Sequence, residues 1–175
     1  MSLRSAIAFV ALAGTCIGCA PNDGGPVAGP ATYRDPAGWE VTVPEGWRAT
    51  HFSLDTAISS AQGAQISNIS GLPRPAAEYG TPLQTNGTIV PGSGIAVVIA
   101  TDRGPEQSSE RVFTPPLRSD DLTEGSCLAG SPCLDVLWFR GAGRIFILSA
   151  KIGANAYGRQ QDALASLIRS VRFVG

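Results

Sequence analysis

His51, Ser53 and Asp55 place the three side-chain types of a serine-hydrolase triad within five residues, and His51 is the one histidine of the chain. In such a triad an imidazole takes the proton of the nucleophile while a carboxylate fixes the ring tautomer. The spacing argues against that use. Residues two apart on a strand stand side by side on one face, whereas a triad needs its members to converge on one point. No Gly-x-Ser-x-Gly elbow accompanies them either. His51 is therefore expected to be an ordinary strand residue. Asp120, Asp121 and Glu124 form a small acidic patch without calcium-loop spacing, which reads as a solvated loop. Gly141-Ala142-Gly143-Arg144 lacks the Lys-Ser/Thr pair of a phosphate loop and reads as a hairpin turn. Asn68-Ile69-Ser70 and Asn86-Gly87-Thr88 match glycosylation sequons, a pattern of low specificity.

The other reactive groups are the thiols of Cys16, Cys19, Cys127 and Cys133. Cys127 and Cys133 are separated by Leu-Ala-Gly-Ser-Pro, a turn-forming stretch. In an oxidising compartment such a close pair is expected to form a local disulfide, adding about 2 kcal/mol by the chain-entropy model. A zinc site would need two further ligands, with His51 the only imidazole on offer. A Cys-x5-Arg phosphatase loop also fails, because the sixth residue after Cys127 is Cys133 and the sixth after Cys133 is Phe139. No catalytic residue, metal ligand or cofactor is expected, and the chain reads as a non-enzyme.

Cys19 has a different setting. Arg4 precedes an uncharged apolar run, Ala6 to Ala13, and Gly14, Thr15 and Gly18 then supply small residues before a cleavage point. The run is far short of the roughly 20 residues that span a bilayer. The segment ends Cys16-Ile17-Gly18-Cys19, which resembles a bacterial lipobox with Gly18 directly before the acceptor thiol. Cysteine stands where such boxes usually carry Leu or Val. The expectation is a signal peptide over residues 1–18 and a diacylglycerol on Cys19. Two or three acyl chains hold a protein on a membrane stably where one does not. Ala20 to Thr32 is rich in Gly and Pro and reads as a flexible tether, so residues 19–32 form the anchor region and 33–175 the domain.

The 175 residues, 43% of them hydrophobic, suit one globular domain behind that segment. The net charge of −1 gives no basic field to draw nucleic acid. Tyr33-Arg34, the turn Asp35-Pro36-Ala37-Gly38 and Trp39 to Val43 read as a β-hairpin around a type I turn. Trp47 to Phe52 is expected as a strand, Ser53 to Gly63 is ambiguous, and Ala64 to Ser70 alternates weakly. Gly71 to Gly94 holds four prolines and five glycines and reads as a long irregular crossing. Ile95 to Ala100 is a continuous apolar run, the pattern of a strand covered on both faces. Arg103 to Asp121 is polar and Pro-broken, with one helical turn at most. Leu134–Arg140 and Arg144–Ile152 form the clearest hairpin. In its second strand Phe146, Leu148, Ala150 and Ile152 share one face. Asn155 is placed as the N-cap of a helix over Ala156 to Val171, with Ala163, Leu164, Leu167, Ile168 and Val171 on its apolar stripe. Arg172-Phe173-Val174 leaves as a short extended tail.

Taken together these features resemble the PsbP-like superfamily, an α/β/α sandwich found in the photosystem oxygen-evolving subunit P, in Mog-type Ran-binding proteins and in actinobacterial lipoproteins. The residues that carry the likeness are Tyr33-Arg34-Asp35-Pro36 through Trp39, Val43-Pro44, Gly46-Trp47, Ser67-Asn68, the strands through Ile147, and Ile168-Arg169-Ser170-Val171-Arg172-Phe173. The resemblance implies an α+β fold, an antiparallel sheet packed by a C-terminal helix, and a non-enzymatic binding or assembly role. The expected partners are the membrane, through the lipid on Cys19, and an envelope protein or small ligand on the extracytoplasmic face. An extracytoplasmic hydrolase, or a carrier of an apolar molecule, is the alternative.

Overall fold

The computed structural model describes residues 26–55, 60–72, 90–102, 111–124, 134–156 and 158–174. In chain order the elements are β1 (Val27–Ala28), β2 (Ala31–Arg34), β3 (Trp39–Val43), β4 (Arg48–Asp55), β5 (Ser60–Ser67) and β6 (Ile95–Asp102). They continue with β7 (Val112–Phe113), a 3-10 turn (Ser119–Asp121), β8 (Thr123–Glu124), β9 (Leu134–Gly141), β10 (Arg144–Ile152), α1 (Arg159–Ser170) and β11 (Arg172–Phe173). An eight-stranded sheet runs β1-β4-β5-β6-β10-β9-β7, with β8 also on β9, and a three-stranded sheet runs β11-β3-β2. Every pairing is antiparallel except that of β7 with β9. The fold is α+β, with one α-helix among the described residues, close to the C-terminus.

The local chemistry of the hairpins explains their registers. In the β2–β3 turn, Gly38 N–H donates to the Asp35 carbonyl at 3.0 Å and Asp35 Oδ1 accepts from Ala37 N–H at 2.9 Å. Gly38 takes φ +89°, a region open to a residue without Cβ. This sets Tyr33 opposite Val41 and Arg34 opposite Glu40. Between β9 and β10 only Ala142 and Gly143 form the turn, both with positive φ (48° and 72°), as a right-twisted two-residue hairpin requires. Gly141, expected within that turn, is instead the last residue of β9.

The two sheets and α1 enclose the main core. Trp39, Val41 and Val43 of the small sheet, Ile66, Val97, Ile99, Phe139, Phe146 and Leu148 of the large one, and Leu164, Leu167 and Ile168 of α1 form one buried cluster. A second cluster, Phe52, Val98, Ala100 and Ile147, occupies the opposite face of the large sheet, with Ala61, Val136 and Trp138 packed beside it. Ile95 to Ala100 are all fully buried, in keeping with the apolar run that has no polar face. No helix among the described residues is long and apolar enough to cross a membrane.

Three boundaries differ from the sequence reading. Strand pairing begins at Val27, inside the stretch read as tether, where Val27 and Ala28 pair with Ala49 and Arg48. Gly29 then passes so close to the Pro44 carbonyl that a Cβ would not fit, and its N–H donates to the Trp47 carbonyl at 2.9 Å. The Gly content that suggested flexibility is here spent on close backbone approach. The helix starts at Arg159 behind Gly158 (φ +58°), not at Ala156 behind Asn155. Asn155 N–H is engaged by the Gly92 carbonyl and Ala156 N–H by the Gly153 carbonyl, a turn that ties the chain to the 90–94 loop before the helix can begin. The C-terminal tail is not a free end: Arg172 and Phe173 pair with Glu40 and Trp39 as the third strand of the small sheet.

Candidate functional site

His51 lies on β4 opposite Ala64, and Ser53 opposite Gln62, so both occupy one face of the strand as the spacing requires. Ser53 is exposed, and the side chain of Asp55 lies outside the described residues. The carboxylate that meets His51 is Asp35, from the turn of the small sheet. Asp35 Oδ2 stands 3.3 Å from His51 Nδ1 and accepts the Tyr33 hydroxyl at 3.0 Å. Tyr33 Oη is also 3.4 Å from Nδ1. The Asp35 side chain is wholly buried, whereas that of His51 is 21% exposed.

Burial comes first in pushing the Tyr33 phenol far above its ordinary value, followed by the Asp35 charge and the hydrogen bond to Asp35. Tyr33 therefore stays protonated and donates. With Asp35 accepting from Tyr33 and from the Ala37 N–H, the remaining direction favours a proton on Nδ1 of His51, pointed at Asp35. That tautomer leaves Nε2 as the acceptor. The arrangement can orient a base, and it also joins the small sheet to the large one through three buried or half-buried polar groups.

A second polar cluster occupies the outer face of the small sheet. Glu40, on the central strand β3, is 2% exposed and faces Arg34 on one side and Arg172 on the other. Arg34 Nε donates to Oε2 at 2.9 Å, and Arg172 Nε donates to Oε1. Burial alone would raise the Glu40 carboxyl, but the hydrogen bonds and charges of Arg172 and Arg34 outweigh it and hold it below the usual 4.5. Each guanidinium donates its Nε–H to Glu40 while its side chain stays half or more exposed, 50% for Arg34 and 71% for Arg172. Beside Arg172 lies an open cavity of about 350 Å³, lined by Thr42, Pro115, Pro116, Arg169, Ser170, Val171 and Arg172. Ser170 Oγ accepts from Thr42 N–H at 2.9 Å and donates to the Leu167 carbonyl at 2.7 Å, closing the cavity floor between α1 and β3.

The other sequence candidates fall apart from these clusters. Cys16, Cys19, Cys127, Cys133 and Asn86 lie outside the described residues. Asp121 Oδ2 accepts the Arg118 N–H at 2.8 Å, so this acid caps the 3-10 turn. No group of three or more potential metal ligands occurs among the described residues. Asn68 bridges the ends of β5 and β6, its Oδ1 accepting from Ile95 N–H at 2.8 Å.

Sequence reasoning missed Asp35 as the partner of His51. The alternation of Trp39, Val41 and Val43 with Glu40 and Thr42, which puts Glu40 on an exposed face, is overturned: Glu40 is 2% exposed because Arg34 and Arg172 cover it. The Arg34–Glu40 pair was accessible, since the turn at Asp35–Gly38 fixes that cross-strand register. Arg172 carried no such local signal.

Compared with known proteins, the chain matches no family model, and neither a curated protein nor a solved structure resembles it significantly.

Proposed function

We propose that the protein is an extracytoplasmic lipoprotein, held on the cell membrane by a lipid on Cys19, whose domain is a non-enzymatic binding module of the PsbP-like α/β/α type. The observation that carries this reading is Gly18-Cys19 at the end of a short apolar run behind Arg4. The first described strand starts at Val27, eight residues beyond Cys19. Full extension of that stretch spans about 28 Å, which would keep the domain near the bilayer. The helix α1 packed on an antiparallel sheet supports this reading at the level of an α+β fold. The Arg172 edge and its cavity offer a surface on which a partner could be recognised. Replacing Cys19 by Ser should abolish incorporation of labelled fatty acid into the protein, and incorporation into C19S equal to wild type would sink the anchor.

The Asp35–His51 contact favours one second reading, a hydrolase in which His51 Nε2 serves as general base. A hydrolytic activity of the purified protein that His51→Ala abolishes would establish it and displace the binding module.

A further inference from the structure

We propose that the cavity between the end of α1 and the small sheet binds a phosphate monoester group, with Arg169 and Arg172 as its ligands; this names the ligand class of the binding module and rests on that reading. Charge is the first ground. Arg169 and Arg172 both line the cavity, and the one carboxylate beside them, Glu40, is shared between Arg172 and Arg34, so the rim keeps a positive excess. A phosphate monoester carries about −1.5 to −2 at neutral pH, so it balances that excess where a single carboxylate would not.

Preorganisation is the second ground. Buried Glu40 holds Arg172 through Nε, while the Arg172 side chain is 71% exposed and its Nη groups have no partner among the described residues. A guanidinium held in this way presents parallel donors to an oxyanion without the entropy cost of ordering a free side chain. Arg169 makes no ion pair among the described residues and is exposed on the same cavity wall. Its position in the last turn of α1 also offsets the partial negative charge of the helix end, which would otherwise oppose an anion there.

Third, the lining contains no Asp or Glu, and Pro115 and Pro116 give one wall a stiff backbone. The Thr42 side chain adds a hydroxyl donor at the rim.

The phosphate could belong to a soluble metabolite or to an anionic lipid headgroup, and two arms separate these sources. The full chain carrying Cys19→Ser is titrated with inorganic phosphate by calorimetry, and separately with phosphatidylcholine vesicles containing phosphatidic acid. Saturable binding of inorganic phosphate is expected, weakened at least about tenfold in Arg169→Gln, the loss that follows from removing one charged hydrogen-bond donor. Arg169→Gln should melt within a few degrees of wild type, the small loss expected of one helix-end charge, which separates loss of a ligand from loss of the fold. Vesicle binding that depends on Arg169 and exceeds phosphate binding identifies a lipid source, and the opposite ranking a soluble one. Equal affinity in wild type and R169Q, or no binding in either arm, overturns the proposal. Capture of an envelope partner despite that negative result would leave the binding module standing and reject only the ligand class. Failure of both would reject both.

Discussion

Asp35 and His51 meet at 3.3 Å although they belong to different sheets, one at the tip of the β2–β3 hairpin and the other within β4. The Asp35 side chain is wholly buried, and its two oxygens serve Ala37 N–H, the Tyr33 hydroxyl and His51 Nδ1. Asp35→Ala should destabilise the domain by about 2–3 kcal/mol, because three donors lose one acceptor and two of them are buried or half-buried. Asp35→Asn should cost less, since one amide oxygen remains. Urea denaturation of both variants measures the difference, and equal losses would show that a neutral acceptor oxygen recovers nothing and that the carboxylate charge itself holds the network.

The same network sets the alkaline limit of stability. The Tyr33 phenol is raised above 10.0 in the folded state. Above that pH the unfolded chain releases the phenolic proton while the folded chain keeps it, so stability falls as pH rises. Below pH 10 the contribution is fully present. Tyr33→Phe should flatten the decline of melting temperature between about pH 10 and 11, beyond the decline common to the other tyrosines. An unchanged slope would place Tyr33 in a setting like that of an exposed phenol.

Glu40 sets an acid limit by the opposite sign. Its folded carboxyl titrates below 4.5, so the unfolded chain takes up the proton first as pH falls. The stabilisation is present above that value and is lost as pH drops through the lowered folded value. Glu40→Gln should be less stable than wild type at pH 7 and show a shallower loss of stability below about pH 4.5. Parallel acid limbs for the two proteins would contradict the buried Arg–Glu–Arg row.

Phe173 and Gly141 make a third long-range tie. The Phe173 ring lies at 5.3 Å from that of Phe146 and 6.2 Å from that of Phe139, and a Cβ on Gly141 would overlap it. Gly141→Ala should therefore cost about 1–3 kcal/mol by displacing the ring. In a Phe173→Ala background the same substitution should cost less than about 0.5 kcal/mol, since the obstacle is gone. Additive losses in the double-mutant cycle would show that the two residues do not touch.

What the sequence made legible was local. The Asp35–Gly38 turn, the β9–β10 alternation and the α1 stripe each rest on a period or a turn residue a few positions wide, and each stands in the structure. Ser53–Gly63 was ambiguous because its small polar residues carry no face. In the structure its described residues supply the end of β4 and the start of β5, which pair with each other, and Gly63 also pairs with Ala100 of β6. Val27 and Ala28 were hidden in a Gly/Pro-rich composition that also suits a tether. The polar clusters were hardest, because Asp35–His51 depends on the stacking of two sheets and Glu40–Arg172 on the pairing of the C-terminal β11 with β3, a contact between residues 132 positions apart. The expectation that His51 is an ordinary strand residue overlooked that stacking.

The central claim is the lipid on Cys19, and intact-mass analysis of the protein from the membrane fraction tests it most directly. The expected species begins at Cys19 and carries the added mass of a diacylglycerol with or without a third acyl chain. A chain that begins at any other residue, or one that begins at Cys19 without added acyl mass, contradicts the anchor.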